Sequence, residues 1–107
     1  MTTNREQPLV SILVRTCQRP AILKRALDSI WRQTYSNIEV VIVEDGSNVS
    51  EDFLRRQYPE KNYKYQATKE KVGRSAAGNR ALAMATGEYL NFLDDDDMLL
   101  ENHVETL

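Results

Sequence analysis

Apolar residues fill Leu9 to Val14 (LVSILV) almost without interruption, and several are β-branched. A strand buried on both faces of a parallel sheet has this pattern, because neither face meets solvent. The period then changes. Leu23, Ala26, Leu27, Ile30 and Trp31 recur at the spacing of one helical face, behind Pro20 at the position of a first helical turn. Ile38 to Val43 (IEVVIV) repeats the buried-strand pattern and stops at Glu44-Asp45-Gly46-Ser47, a turn sequence whose glycine is free to take positive φ.

Ser50 is placed to cap a short helix ending near Tyr58-Pro59, and Tyr63 to Gln66 reads as a weaker, edge-like third strand. Lys69 to Ser75 (KEKVGRS) is a charged loop before an alanine-rich helix over Ala76 to Ala85, with Gly87 as its C-terminal stop. Tyr89 to Leu93 forms a fourth strand. Leu100 to Leu107 begins another helical pattern, with Val104 and Leu107 apolar, too short to bury its face; a truncated domain is expected there. Strands alternating with helices predict an α/β fold, a mostly parallel twisted sheet with flanking helices and right-handed crossovers. Ligands bind beyond the carboxyl ends of strands in such sheets, where Arg15-Thr16, Asp45 and Asp94 to Asp97 all fall.

A length of 107 residues fits one domain spanning 1–107. The formal charge of -2 is local in origin. Apart from four consecutive aspartates, 14 basic residues face 12 acidic ones, so no nucleic-acid surface is indicated. The single Cys17 excludes an internal disulfide and a multi-cysteine zinc site, and reads as a small, partly buried filler. MTTNREQPLV lacks the basic flank and apolar stretch of a signal peptide, so a cytosolic location is expected. His103 reads as a surface residue, and Lys61, Lys64, Lys69 and Lys71 as a solvated face.

The aspartate run carries the chemistry. Like charges about 4 Å apart repel by ~1 kcal/mol in water and ~4 kcal/mol at a partly buried site, so four carboxylates in series imply a missing positive partner. One reading is a helix N-terminus, where carboxylates gain roughly 0.3–1 kcal/mol each from the dipole. The favoured one is a hard divalent cation, since capping accounts for only one or two of the four. Alternation along an extended segment would point Asp94 and Asp96 to one side and Asp95 away, so that losing Asp96 should abolish the joint effect of metal and nucleotide while losing Asp95 should do little to it. Counting from Asp94 puts Leu99 and Glu105 where an EF-hand needs glycine and glutamate. RTCQRPA has no glycine for a dinucleotide turn, and no GxxxxGK[ST] string occurs. A phosphatase using Asp94 as nucleophile is disfavoured, because its aspartate belongs on the first strand.

Three strings, VSILVRTCQRP, ALDSIWRQTYSNIEVVIVEDGS and VGRSAAGNRALAMATGEYLNFLDDDD, occur in an order that resembles the N-terminal half of family-two glycosyltransferases of the GT-A fold. The resemblance implies a Rossmann-like nucleotide-sugar-binding half. Asp45, the acidic residue before Gly-Ser, would pair with the base. Asp94 and Asp96 would form the D-x-D motif, the first near the ribose and the second holding Mg2+ or Mn2+ on the diphosphate, with Asp97 assisting. Thr16 and Arg74 complete the nucleotide-binding set, Arg74 either reaching a phosphate or staying solvated. A carboxylate accepts the imide N–H of uracil or thymine, which cytosine lacks, so UDP is the favoured nucleotide; the alternative for Asp45 is a local turn with Ser47.

Two departures stand out. Thr16-Cys17-Gln18 replaces a first turn that usually carries an aromatic, and Ala77-Gly78-Asn79 replaces the usual Ala-Arg-Asn. The implied reaction is transfer of a sugar from a nucleotide diphosphate-sugar to an acceptor hydroxyl by inverting displacement. Its general base and acceptor site are expected beyond Leu107. The competing expectation is a fragment that holds nucleotide and metal without turnover. Such a fragment should self-associate through an unpaired sheet edge, and a longer parent should be peripheral at the inner membrane face.

Overall fold

A computed structural model of the protein describes residues 7–106. Four strands lie parallel: β1 (Val10–Thr16), β2 (Ile38–Glu44), β3 (Tyr63–Ala67) and β4 (Tyr89–Asp94). Their order across the sheet is β3-β2-β1-β4, so β3 and β4 are its edges. Val10 pairs with Ile38 on one side and Tyr89 on the other, and the register runs evenly to Thr16 opposite Glu44 and Arg15 opposite Asp94. All strand C-termini therefore reach one edge of the sheet together. The predicted α/β sheet and its four strands are present, each strand within a few residues of the expected bounds.

Helices α1 (Pro20–Trp31), α2 (Ser50–Gln57) and α3 (Arg74–Met84) make the crossovers. Alternate residues of each strand bury into two cores. Ile12, Val14, Val40, Ile42 and Leu93 pack with Leu23, Leu27 and Ile30 of α1 and Leu54 of α2. Leu13, Val41 and Val43 pack on the opposite face against Ala77 and Ala81 of α3. Burial on both faces explains why LVSILV and IEVVIV do not alternate. Trp31 lies half-buried at the rim of the first core, its ring 4.6 Å from that of Tyr58.

Several boundary expectations are corrected. Ser50 is the first helical residue of α2, not its cap: the cap position is Val49, and Ser50 is buried with its N–H and hydroxyl both on Glu44. Gly87 is not a helix stop either, since α3 ends at Met84. A Cβ at Gly87 would come within 2.6 Å of Ser11 Oγ and 2.9 Å of the Leu9 carbonyl oxygen, so glycine is required by the close approach to β1. The expected last helix is a series of turns with one 3-10 turn at Val104–Thr106, and Leu107 lies outside the described residues. No helix among the described residues is long and apolar enough to cross a membrane.

Candidate functional site

Beyond the C-termini of β1, β2 and β4 lies a cleft of about 260 Å³, lined by residues from all three ends and from the loop before α3. Thr16, Asp45, Arg74, Asp94 and Asp96, all expected site residues, line it, together with Arg15, Cys17, Arg19 and Lys71. Four basic and four acidic side chains thus face one another across it.

Asp45 leaves the end of β2 just before Gly46, whose φ of +87° turns the chain sharply. Its carboxylate is buried and crosses to the loop before α3. One oxygen accepts from Val72 N–H at 2.7 Å and Thr68 Oγ1 at 3.1 Å, the other from Gly73 N–H at 3.0 Å. Burial alone would raise its pKa, but these donors and nearby Lys71 hold it below the ordinary carboxylate value. The expected alternative, a local turn with Ser47, is not what engages this carboxylate. An ionised carboxylate offers about four acceptor positions, and three are filled, so Oδ2 keeps one. The preceding residue, Glu44, is fully buried, and its carboxylate accepts from Ser50 N–H at 3.0 Å, Ser50 Oγ at 2.9 Å and Tyr65 OH at 2.6 Å.

The aspartate run does not start a helix. Asp97 N–H bonds the Asp94 carbonyl at 3.0 Å, a tight turn that folds the run back on itself. That removes the helix-cap reading, and it replaces strand alternation as the cause of the clustering. Asp94, Asp96 and Asp97 each bring one carboxylate oxygen within 4.8 Å of the others. Three hard oxygen donors at this spacing suit Mg2+ or Mn2+, which demand few protein carboxylates and take their remaining ligands from water or phosphate.

Asp95 does point away, as expected, but it is far from idle. Only 2% exposed, it accepts from Thr16 Oγ1 at 2.8 Å, from Arg19 Nε at 3.1 Å and from Arg19 Nη2. The pairing holds the β1–α1 turn, where Gln18 has a φ of +56°, against the end of β4. That burial gives Asp95 a structural task, separate from the expectation that its loss should do little to the response to metal and nucleotide.

Asp94 is shared between two guanidinium groups, Arg15 Nη2 at 2.8 Å and Arg74 Nη2 on its other oxygen. Arg74 is thus largely exposed and at the same time paired with Asp94. Arg19 and Lys71 line the cleft although sequence reasoning did not single out the first and assigned the second to a solvated face. The available signal was topological: both sit in loops that follow parallel strands, on the edge where ligands bind. Cys17 is partly buried, as expected. His103 is only partly exposed, its ring nitrogen 3.1 Å from Asn91 Oδ1, rather than a free surface group.

Comparison with known proteins gives the family. The glycosyltransferase GlyA of Streptococcus pneumoniae is 35% identical over 99 residues, covering 92% of this chain and 14% of GlyA. A Campylobacter jejuni GalNAc(5)-diNAcBac-PP-undecaprenol beta-1,3-glucosyltransferase is 33% identical over 110 residues, covering 94% of this chain and 33% of that protein. Among solved structures, the mannosyltransferase PcManGT of Pyrobaculum calidifontis in complex with GDP-Man and Mn2+ superposes with a TM-score of 0.75 at 28% identity, over 86% of this chain and 28% of its own. S. aureus TarS 1–349 in complex with UDP-GlcNAc does so with a TM-score of 0.81 at 26% identity, over 91% and 29%. The chain spans a third or less of the length of these relatives. The model of the glycosyl transferase family 2 matches residues 11–107, nearly the whole sequence, and the chain belongs to that family.

Proposed function

We propose that this chain is the donor-binding part of a glycosyltransferase that moves a sugar from a nucleotide diphosphate-sugar, UDP-sugars favoured, to an acceptor hydroxyl by inverting displacement. One observation carries the reading: Thr16, Asp45, Arg74, Asp94 and Asp96, far apart in sequence, line a single cleft of balanced charge at the strand ends. The nucleotide sugars bound by PcManGT and TarS support it.

Each residue then has a chemical task. Asp45 Oδ2 offers its remaining acceptor position to the imide N–H of the base. Arg74 and Lys71 supply positive charge for the diphosphate, and Arg74 presents a planar fork suited to phosphate oxygens. Thr16 acts through Asp95, holding the first turn in place. Asp96, with Asp94 and Asp97, would hold Mn2+ or Mg2+, which when bound neutralises the diphosphate and stabilises it as a leaving group. The undecaprenol in the name of the Campylobacter relative supports a hydroxyl acceptor presented at a membrane, hence a cytoplasmic protein that is peripheral at the inner face.

Calorimetry with UDP, dTDP and CDP in Mn2+ tests the reading. UDP and dTDP should bind more tightly than CDP; equal affinities remove Asp45 from base recognition, and no binding at all removes the donor site. A second reading, donor and metal binding without turnover, is favoured by one feature: of the four cleft carboxylates, Asp45, Asp94 and Asp95 are engaged in hydrogen bonds and Asp96 belongs to the carboxylate cluster, leaving none set aside to take an acceptor proton. Tight UDP-sugar binding with no sugar transfer to any hydroxyl acceptor would select it.

A further inference from the structure

The two oxygens of the Asp45 carboxylate are not equally committed. Oδ2 accepts from Gly73 N–H at 3.0 Å, whereas Oδ1 accepts from Val72 N–H at 2.7 Å and also has Thr68 Oγ1 at 3.1 Å. That hydroxyl is held in place. Thr68 is only 6% exposed, and its Oγ1 accepts from Gly46 N–H at 2.7 Å and lies 2.9 Å from the Glu70 carbonyl oxygen. Its single proton serves two acceptors, Asp45 Oδ1 and that carbonyl, but the hydroxyl oxygen stands against Oδ1 whichever of them the proton favours. A carboxylate oxygen has about two acceptor positions, so Oδ1 is closed by Val72 and Thr68 while Oδ2 keeps one.

We propose that Thr68 is a positioning residue that sets base specificity: by closing Oδ1 it makes Asp45 a reader of one N–H, which admits the single imide donor of a pyrimidine and refuses the paired donors of guanine. This rests on the donor-site reading above and adds to it the base that is refused and the side chain that refuses it. Guanine presents N1–H and the N2 amino group side by side, a pair of donors that suits the two oxygens of one open carboxylate. Asp45 is not open. The second donor would face Val72 N–H and the Thr68 hydroxyl, donor against donor, and would give up its water without gaining an acceptor. A site that leaves a polar group unmet discriminates more strongly than one that merely lacks room for a methylene. Uracil and thymine bring no second donor to this edge and meet no such opposition.

Affinities of the full chain for UDP, CDP, GDP and inosine diphosphate (IDP), measured by calorimetry in Mn2+, test this. Inosine has nearly the size of guanine and its N1–H but no amino group, so it separates donor count from room. In the unaltered protein IDP should bind about 10-fold tighter than GDP. Thr68→Ser keeps the hydroxyl and Thr68→Val keeps a methyl in its place, and both should preserve that ratio. Thr68→Ala empties the position beside Oδ1 and should bring GDP to within about twofold of IDP. Because the ratio is taken within one variant, a general loss of stability cancels from it. Equal IDP and GDP affinities in the unaltered protein, no measurable binding of either purine nucleotide, or an undiminished IDP preference in Thr68→Ala overturns the role of Thr68, while UDP bound more tightly than CDP leaves the donor site standing. Equal affinities for UDP and CDP overturn the base reading of Asp45, and the role of Thr68 with it.

Discussion

Thr16 at the end of β1 and Asp95 just past β4 meet hydroxyl to carboxylate at 2.8 Å, and the same carboxylate oxygen accepts Arg19 Nε at 3.1 Å. The β1–α1 turn and the end of β4 are thus tied together in the wall of the cleft. Asp95→Asn should therefore lower stability by about 1–3 kcal/mol, the cost of leaving buried polar groups incompletely paired, whether or not ligand is present. Urea unfolding of the variant with its slope compared to the parent checks this; an unchanged midpoint would show that the tie is dispensable.

The carboxylate of Asp45 serves the fold and the site together, which makes a simple alanine scan misleading. Asp45→Ala removes three hydrogen-bond acceptances from the 68–73 loop as well as the acceptor position proposed for a base. We expect a stability loss of about 2 kcal/mol and a UDP affinity loss of roughly 1–3 kcal/mol. Thr68→Val isolates the first effect: it removes the hydroxyl that bonds both Asp45 and Gly46 N–H, and should lower stability while sparing the preference for UDP over CDP. Loss of that preference in Thr68→Val would mean that loop order, not the Asp45 carboxylate, selects the base.

Glu39 makes acid the vulnerable side of the stability curve. Burial alone would raise its pKa, but Lys64, Ser11 Oγ and Thr86 outweigh it and bring the value down to about 2 from an ordinary 4.5. A carboxyl depressed in the folded state contributes stability that is fully present above about pH 4.5 and is lost as pH falls toward 2. Glu39→Gln should cost about 2 kcal/mol at pH 7 and progressively less below pH 4.5. Parallel urea titrations of both proteins from pH 7 to pH 3 should converge; a constant gap would assign the loss to packing rather than charge.

The outer edge of β4 predicts association. Tyr89, Leu90 and Phe92 are each about half exposed on a strand that, among the described residues, pairs with β1 alone. Unpaired edges with apolar side chains favour pairing between chains. Light scattering should show mass rising with concentration, and Leu90→Lys should suppress the rise. A monomer at high concentration would count against the edge as a contact.

What the chain discloses before folding follows from the range of each signal. The stripe from Leu23 to Ile30 and the run LVSILV depend on spacing within one element, and both were legible. Asp45 was legible as a group at a strand end, but its partners Val72 and Gly73 lie 27 and 28 residues away and become neighbours only through the β2–β3 crossover and the loop that follows. Asp95 is separated from Arg19 by 76 residues. Gly87 illustrates the same limit in steric form: its need for glycine comes from Ser11, not from the helix it follows. Lys71 looked like one more lysine of a charged segment because its sequence neighbours are charged; only the parallel sheet turns that segment toward the cleft.

The two central aspartates of the run should separate cleanly in thermal melts. Asp96 is exposed and lies with Asp94 and Asp97 in the carboxylate cluster, whereas Asp95 is buried in the Thr16–Arg19 tie. Mn2+ alone should raise the melting temperature only slightly, because sites of this kind draw several ligands from phosphates, and Mn2+ with UDP should raise it by several degrees. Asp96→Asn should leave the unliganded melting temperature almost unchanged and abolish the joint rise. Asp95→Asn should lower the starting temperature while keeping much of the rise, since its carboxylate is not among the gathered donors. The crossed pattern matters more than either value: one variant loses ligand response at constant stability, the other loses stability at constant response. Melts of both variants with neither ligand, each ligand alone and both together decide the matter, and superimposable curves for the two would sink the assignment of the cation to Asp96.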